Sequence, residues 1–135
     1  MSYSATFVVR GKPEPKGSTR AFMPKGARFP VVTSDNPKAR GFADLVRLVA
    51  QEHAPPELLT GPVRVSLAFF LARPKSTPRK VVHHIKKPDV DKTVRAVLDA
   101  LTGIVWRDDS QVVELHASKG FGAPGVVVAV TEVER

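Results

Sequence analysis

Prolines and glycines divide this chain into short segments and so limit the length of any helix or strand. The 135 residues include 12 prolines and 9 glycines, which concentrate between stretches of clear apolar periodicity. Proline lacks a backbone N–H and glycine has little conformational preference, so clusters of both end regular elements. The segments between the clusters predict the order β-α-β-α-β-β. We expect residues 1–135 to form a single α+β domain, a small mixed β-sheet with two helices on one face.

The predicted elements follow from side-chain periodicity and from turn residues. Alternation every second residue indicates a strand, and apolar residues at i, i+3, i+4 and i+7 indicate a helix. The long segment Gly11–Thr33 has glycines and prolines throughout, and we expect it to be irregular. The remaining predictions are a strand at 3–10, a helix that Asn36 caps and Pro37 begins, a strand at Val63–Ala72, a helix after Pro88, and strands at Gln111–Ser118 and Val126–Thr131.

The composition excludes several classes of protein. There is no cysteine, which excludes thiolate zinc sites and thiol catalysis and fits a reducing compartment. The longest apolar run, Val65–Ala72, is far shorter than the ~20 residues of a membrane helix. The first residues lack the apolar core of a secretion signal. The sequence therefore predicts a cytoplasmic protein that does not associate with membranes.

Positive charge is concentrated in two zones. Lys and Arg number 21 against 13 acidic residues, for a net charge of +8. Residues 1–40 are rich in Lys and Arg and poor in acids, and residues 73–87 contain no acid. This pattern favours a nucleic-acid partner, with a solubilising surface as the alternative. The predicted DNA contacts are Lys12, Lys16, Arg20, Lys25, Arg28, Arg73, Lys75, Arg79, Lys80, Lys86 and Lys87, with Lys119 from a later strand.

Five of the seven aspartates fall between residues 89 and 109. Asp89 and Asp91 bracket the start of the predicted helix, whereas Asp108 and Asp109 follow it after a short connection. We expect that connection to return the second pair to the same end of the sheet. Carboxylates are preferred ligands of Mg²⁺, so the cluster predicts a metal-dependent nuclease. The alternative is that Asp89 only caps the helix and the later pair only forms a turn.

The phase of the predicted helix separates the remaining charged residues. At 100° per residue, Asp91 and Arg95 lie within about 40° of each other, at the edge of the apolar stripe. Arg95 or Lys119 could then offset negative charge on a phosphate. Asp99 points further outward and is expected to be a surface residue. Spacing alone leaves open whether Asp108 or Asp109 faces the ion.

Two segments resemble the RusA family of Holliday-junction resolvases of bacteria and their phages. They are KPDVDKTVRAVLDAL and DDSQVVELHASK, which are similar to the family's Asp-x-Asp-Asn opening, its Asp-Ala-Leu helix, and its Asp-Asp-x-Gln before a strand ending in lysine. The basic segment VVRGKPEPKGSTR resembles the N-terminal region of phage members. The resemblance implies a homodimeric endonuclease that uses Mg²⁺ or Mn²⁺ and nicks opposed strands of a four-way junction.

The resemblance also assigns roles by position. It implies that Asp89, Asp91 and Asp109 are metal ligands and that Asp108 supports them. The family's catalytic-region lysine corresponds to Arg95, and the asparagine after the second aspartate corresponds to Lys92. Arginine keeps the positive charge but cannot donate a proton near neutral pH. The location implied is the cytoplasm of a bacterial or phage-infected cell. The competing hypotheses are a broader nuclease of flaps and forks and a non-catalytic DNA-binding module.

Overall fold

The structure, a computed structural model, describes residues 2–15, 19–22, 31–34 and 38–134, with the backbone alone at 19–22, 31–34 and 38–40. The α+β class and the predicted order of the main elements are confirmed. The elements are β1 (Ser4–Arg10), β2 (Thr19–Phe22), β3 (Val31–Ser34), α1 (Lys38–Glu52), β4 (Val63–Leu71), α2 (Val90–Leu101), β5 (Val112–Phe121) and β6 (Gly125–Glu132), with a 3-10 turn at Asp109–Gln111 before β5.

The main sheet has four strands in the order β1-β6-β4-β5. Strands β4 and β5 are parallel, whereas β6 is antiparallel to both β1 and β4. The interior strand β4 has the sequence VRVSLAFFL, and its odd positions are buried throughout. Because side chains alternate across a strand, this pattern turns one apolar row toward the helices.

The core lies between that face of the sheet and the two helices. Helix α1 contributes Phe42 and Val46, and α2 contributes Val97 and Leu101. Helix α1 also packs against α2 and β1. Burying an apolar side chain of this size contributes about 1.5–3 kcal/mol, so the shared core fixes where each end of α2 lies.

One prediction about the N-terminal region is wrong. The sequence predicts an irregular segment at Gly11–Thr33, but β2 and β3, which ends one residue later at Ser34, pair there as an antiparallel two-stranded sheet. Thr, Val and Phe in these short runs favour extended backbone, and pairing between them supplies the hydrogen bonds that neither run has alone. The predicted helix cap at Asn36 and Pro37 lies outside the described residues.

The parallel pairing of β4 with β5 places the site. Both strands end on the same side of the sheet, and the long loop at 72–89 leads from there into α2. Strand β5 extends to Phe121, beyond the predicted end at Ser118, because β4 pairs with it as far as Leu71. Within the described ranges, no helix is both long and apolar enough to cross a bilayer.

Candidate active site

Asp89 and Asp91 lie at the first turn of α2 with their carboxylates available. Asp89 is the N-cap residue in an extended conformation, yet its side chain makes no capping hydrogen bond. Between the two aspartates, Val90 packs against the core, while both aspartates are exposed. The helix N-terminus favours negative charge through its partial positive dipole. The Asp-Val-Asp sequence therefore places two exposed carboxylates at one helix end.

Two positively charged side chains lie near these aspartates on α2. The Lys92 Nζ is 3.7 Å from Asp89 Oδ2, and both side chains are about half exposed. Arg95 is exposed one turn after Asp91, on the flank of the helix that the sequence predicted. Positive charge beside the aspartates could bind the phosphate of a nucleic acid.

Lys119 holds the chain where it enters α2. From the last part of β5, its Nζ donates hydrogen bonds to the carbonyl oxygens of Lys86 at 2.6 Å and Pro88 at 2.9 Å. An ammonium group has three donors, so one remains for another partner. Lys119 thus fixes the segment before Asp89, a role that the sequence prediction of a DNA contact did not include.

A cavity of about 480 Å³ opens beside Asp89. Lys12, Glu14, His84, Lys87 and Lys92 contribute polar groups to its walls, and prolines and Leu71 contribute apolar surface. Glu14 was not among the predicted site residues. Its side chain is only 15 % exposed and lies 3.8 Å from the Lys12 ammonium. The sequence feature that could have identified Glu14 is its position as an acid inside a basic segment rich in glycine and proline.

Asp109 lies at the opposite end of α2. Its Oδ1 accepts a hydrogen bond from the Trp106 Nε1 at 3.3 Å and lies within hydrogen-bond reach of the Thr102 hydroxyl. Thr102 is the C-cap residue of α2, which has 12 residues. At about 1.5 Å per residue, the helix separates its two ends by about 18 Å. Asp109 therefore does not meet Asp89 or Asp91 within one chain.

The prediction that Asp108 and Asp109 return to the same end of the sheet as Asp89 is wrong, and packing of the chain after α2 explains why. Trp106 is fully buried and anchors the connection beneath the end of α2. The backbone N–H of Gly103 donates to the Trp106 carbonyl at 2.7 Å, which closes a tight turn there. Only the 3-10 turn separates this connection from β5, so Asp108 and Asp109 stay at the C-terminal end of α2.

Asp108 has a local structural role. It caps the 3-10 turn, accepting from the Ser110 N–H at 2.9 Å, while the Gln111 side chain accepts from the Asp108 N–H. These contacts form a capping box. The hydrogen bond from the Ser110 backbone, followed by that from its hydroxyl, lowers the pKa of Asp108. The exposed carboxylate thus stabilises the turn before β5.

The metal prediction fits only part of the aspartate cluster. In the portion of the chain that the structure describes, no three His, Asp or Glu residues are grouped closely enough to hold an ion. The pair Asp89 and Asp91 still suits Mg²⁺, which proteins commonly hold through one or two carboxylates together with substrate phosphates. Asp108 and Asp109 do not belong to that pair's ligand set within the protomer.

Arg73 organises the loop at 72–89. Its Nη1 donates to the carbonyl oxygens of Pro78 at 3.1 Å and Val81 at 2.8 Å, and its guanidinium lies 4.2 Å from the centre of the Phe121 ring. Predicted only as a DNA contact, Arg73 therefore fixes the loop's shape. The other predicted contacts of this loop are exposed, namely Lys75, Arg79, Lys80, Lys86 and Lys87.

The predicted contacts in the N-terminal region are only partly described. The Lys12 side chain is 70 % exposed at the cavity beside Asp89. Arg20 belongs to β2, but its side chain lies outside the described atoms. Lys16, Lys25 and Arg28 lie outside the described residues.

Comparison with known proteins identifies the family. The family model described as endodeoxyribonuclease RusA matches residues 11–131. This chain belongs to the RusA family. The match includes the cavity wall from the N-terminal region, the Asp-Val-Asp start of α2 and both final strands, so the site described above lies within the shared region of RusA endodeoxyribonucleases.

A curated relative extends over nearly the same length. The chain is 35 % identical over 138 residues to a protein of Bacillus subtilis strain 168 that is named uncharacterized protein YqaN. The similarity covers 94 % of this chain and 95 % of the relative. Identity at this level over nearly all of both chains supports the family assignment.

Proposed function

We propose that this protein is a Mg²⁺-dependent endodeoxyribonuclease that resolves four-way DNA junctions by paired nicks. The observation that carries the proposal is the pair of exposed carboxylates, Asp89 and Asp91, at the start of α2 beside a basic loop, in a chain of the RusA family. The two kinds of charge support nuclease chemistry. Carboxylates are suited to binding Mg²⁺, and the basic loop is suited to binding the phosphates of DNA.

Asp89 and Asp91 would hold Mg²⁺, or Mn²⁺ in its place. When bound, such an ion offsets charge on the phosphate in the transition state and makes water a better nucleophile. Arg95, exposed one turn later, binds the phosphate as a permanent cation and does not act as a proton donor. The exposed lysines and arginines of the loop at 72–89 contact the backbone of the junction arms.

A two-fold homodimer explains why cuts are paired. Each subunit places one site on a symmetric substrate, so two opposed strands are cut by equivalent residues. Within one subunit, the length of α2 separates Asp91 from Asp109 by about 18 Å. Asp109 can share a site with Asp91 only across an interface between two copies.

The first experiment tests the carboxylates. Labelled four-way junctions, forks and linear duplexes are incubated with Mg²⁺ and either the parent, Asp91→Asn or Asp99→Asn. We expect Asp91→Asn to lose cleavage by about 100-fold or more, because one of two ion-holding groups is gone. Asp99→Asn is the matched control, since it changes an exposed aspartate of the same helix, and it should cut like the parent.

The substrate set separates the competing functions. Equal cutting of forks and junctions would indicate a broader nuclease of branched DNA. Tight junction binding without cutting by the parent would indicate a non-catalytic DNA-binding module. If Asp91→Asn cleaves as well as the parent on any substrate, Asp91 does not belong to the active site.

Asp109→Asn has its own diagnostic experiment. The amide retains an oxygen that can accept from Trp106 and Thr102, so the fold should persist, as circular dichroism can check. If this folded variant loses cleavage, mixing it with Asp91→Asn tests the dimer. Recovery of activity in the mixture requires that one site take Asp91 from one subunit and Asp109 from the other.

A further inference from the structure

The loop at 72–89 exposes two large apolar side chains. Val82 is 68 % exposed and Ile85 is 85 % exposed, the highest value among the large apolar residues that the structure describes. Neighbouring Val81, by contrast, is partly buried against the loop. Exposing an isoleucine to water is unfavourable, and two large apolar side chains exposed three residues apart on one loop can mark an interaction surface.

Three side chains hold this loop in place. Arg73 bonds the carbonyl oxygens of Pro78 and Val81. His84 packs its ring against Phe121, with 5.3 Å between the ring centres. Lys119 bonds the backbone on the far side of Ile85, at Lys86 and Pro88. These contacts hold the backbone on both sides of Val82 and Ile85 in the arrangement that leaves the two side chains, called here the apolar tip, exposed.

Positively charged residues flank the apolar tip along the chain. Arg79, Lys80, Lys86 and Lys87 are exposed on the same loop, and no acid occurs between residues 73 and 87. Exposed apolar side chains flanked by cations match nucleic acid, in which stacked bases lie between rows of phosphates. DNA-binding proteins use apolar side chains in this way, inserting them between base steps and unstacking them.

We propose that Val82 and Ile85 form a wedge that inserts between bases at the branch point of the DNA. The proposal rests on the proposed function, because it assigns branched DNA to the surface beside the carboxylates. A branch point suits a wedge because stacking is already interrupted there, so separating the bases costs less than in a continuous duplex.

The wedge also sets where the strand is cut. Three residues lie between Ile85 and Asp89, and the four Cα-to-Cα steps between them span at most about 14 Å. One base-pair rise is about 3.4 Å, so the carboxylates lie within about four nucleotides of the inserted side chains. The loop thereby couples recognition of the branch point to cleavage of a nearby phosphate.

The test uses a four-way junction with 2-aminopurine at the branch point and no divalent cation, so that cleavage does not contribute. Fluorescence should rise when the parent binds, because the probe becomes unstacked. In the double variant Val82→Ala/Ile85→Ala, we expect the rise to be largely lost and junction affinity to fall about tenfold, as loss of buried apolar surface implies. Affinity for linear duplex and its salt dependence should be unchanged.

The matched control is Val113→Ala, which truncates a valine that is 62 % exposed on edge strand β5. This variant should behave like the parent in fluorescence and affinity. An equal fluorescence rise in the double variant would overturn the wedge. The proposal would also fail if the double variant changed only the oligomeric state in sedimentation, because the tip would then contact a second copy of the chain.

The wedge and the nuclease proposals can fail separately. Fluorescence without divalent cation reports on the wedge alone, and cleavage by Asp91→Asn reports on the carboxylates alone. If the fluorescence rise is lost in the double variant, the wedge is supported even if Asp91→Asn cleaves junctions normally. Conversely, an unaltered fluorescence rise in the double variant overturns the wedge even if cleavage depends on Asp91.

Discussion

Lys92 lies where its charge would compete with the Mg²⁺ ion proposed above. Its ammonium lies 3.7 Å from the Asp89 carboxylate, and the family motif has asparagine there. A lysine so placed offsets part of the negative charge that would attract a divalent cation. At half-exposed positions water weakens this interaction, so the effect should be moderate.

We predict that Lys92→Asn lowers the Mg²⁺ concentration for half-maximal cleavage by about three- to fivefold, since one nearby positive charge is removed. Binding of Mn²⁺ without DNA, measured by electron paramagnetic resonance, should tighten in parallel. The control Arg47→Gln removes an equal charge from the exposed face of α1 and should leave both values unchanged. An unaltered Mn²⁺ affinity in Lys92→Asn would show that Lys92 does not influence the ion.

At the scale of elements, the loop at 72–89 depends on contacts made by the ends of strands. Arg73 follows β4, and Phe121 ends β5, so the parallel pairing of these strands brings the guanidinium over the ring. The two carbonyl oxygens that Arg73 binds belong to residues 78 and 81. Without the guanidinium, the middle of the loop would lose its main polar contacts.

We predict that Arg73→Ala makes the loop more mobile and increases cleavage by trypsin after Arg79 and Lys80 by about tenfold, because local opening exposes the backbone to the protease. Mass spectrometry of the fragments measures the rate at each bond. Lys75→Ala, which changes a second exposed cation of the loop, should leave cleavage at those bonds as in the parent. Equal rates in Arg73→Ala and the parent would show that the loop keeps its shape without the arginine.

At the scale of the whole molecule, charge is distributed unevenly around the site. The basic loop at 72–89 and Lys12 lie near the start of α2, whereas the exposed face of α1 includes an internal ion pair, Arg47 to Asp44 at 2.9 Å. A polyanion is therefore attracted to the side of the molecule that carries Asp89 and Asp91.

We predict that Arg79→Gln/Lys80→Gln weakens junction binding and reduces the slope of log affinity against log salt concentration by about 1.8, since each phosphate contact contributes about 0.9. Fluorescence anisotropy across a salt series measures the slope. The control Arg47→Gln removes a cation from α1 and should not change it. A parental slope in the double variant would exclude these two side chains from phosphate contact.

The order of the main elements, and the place of Asp89 and Asp91 at the start of a helix, followed from the sequence. Apolar residues at helical spacing located α2, and the Asp-Val-Asp pattern placed two carboxylates at its first turn. These are local properties, since periodicity and capping depend on residues within a few positions of one another. The pairing of β2 with β3 did not follow, because it joins two short runs across a segment without periodicity.

The sequence by itself determined the fold class, the charge zones and the position of α2, because each depends on a pattern within one segment. Only the tertiary structure decided which ends of the elements meet. Burial of Trp106 keeps Asp109 beside Thr102, and the parallel pairing of β4 with β5 brings Arg73 and Lys119 to the loop before α2. Such contacts depend on packing between distant segments, which spacing along the chain does not specify.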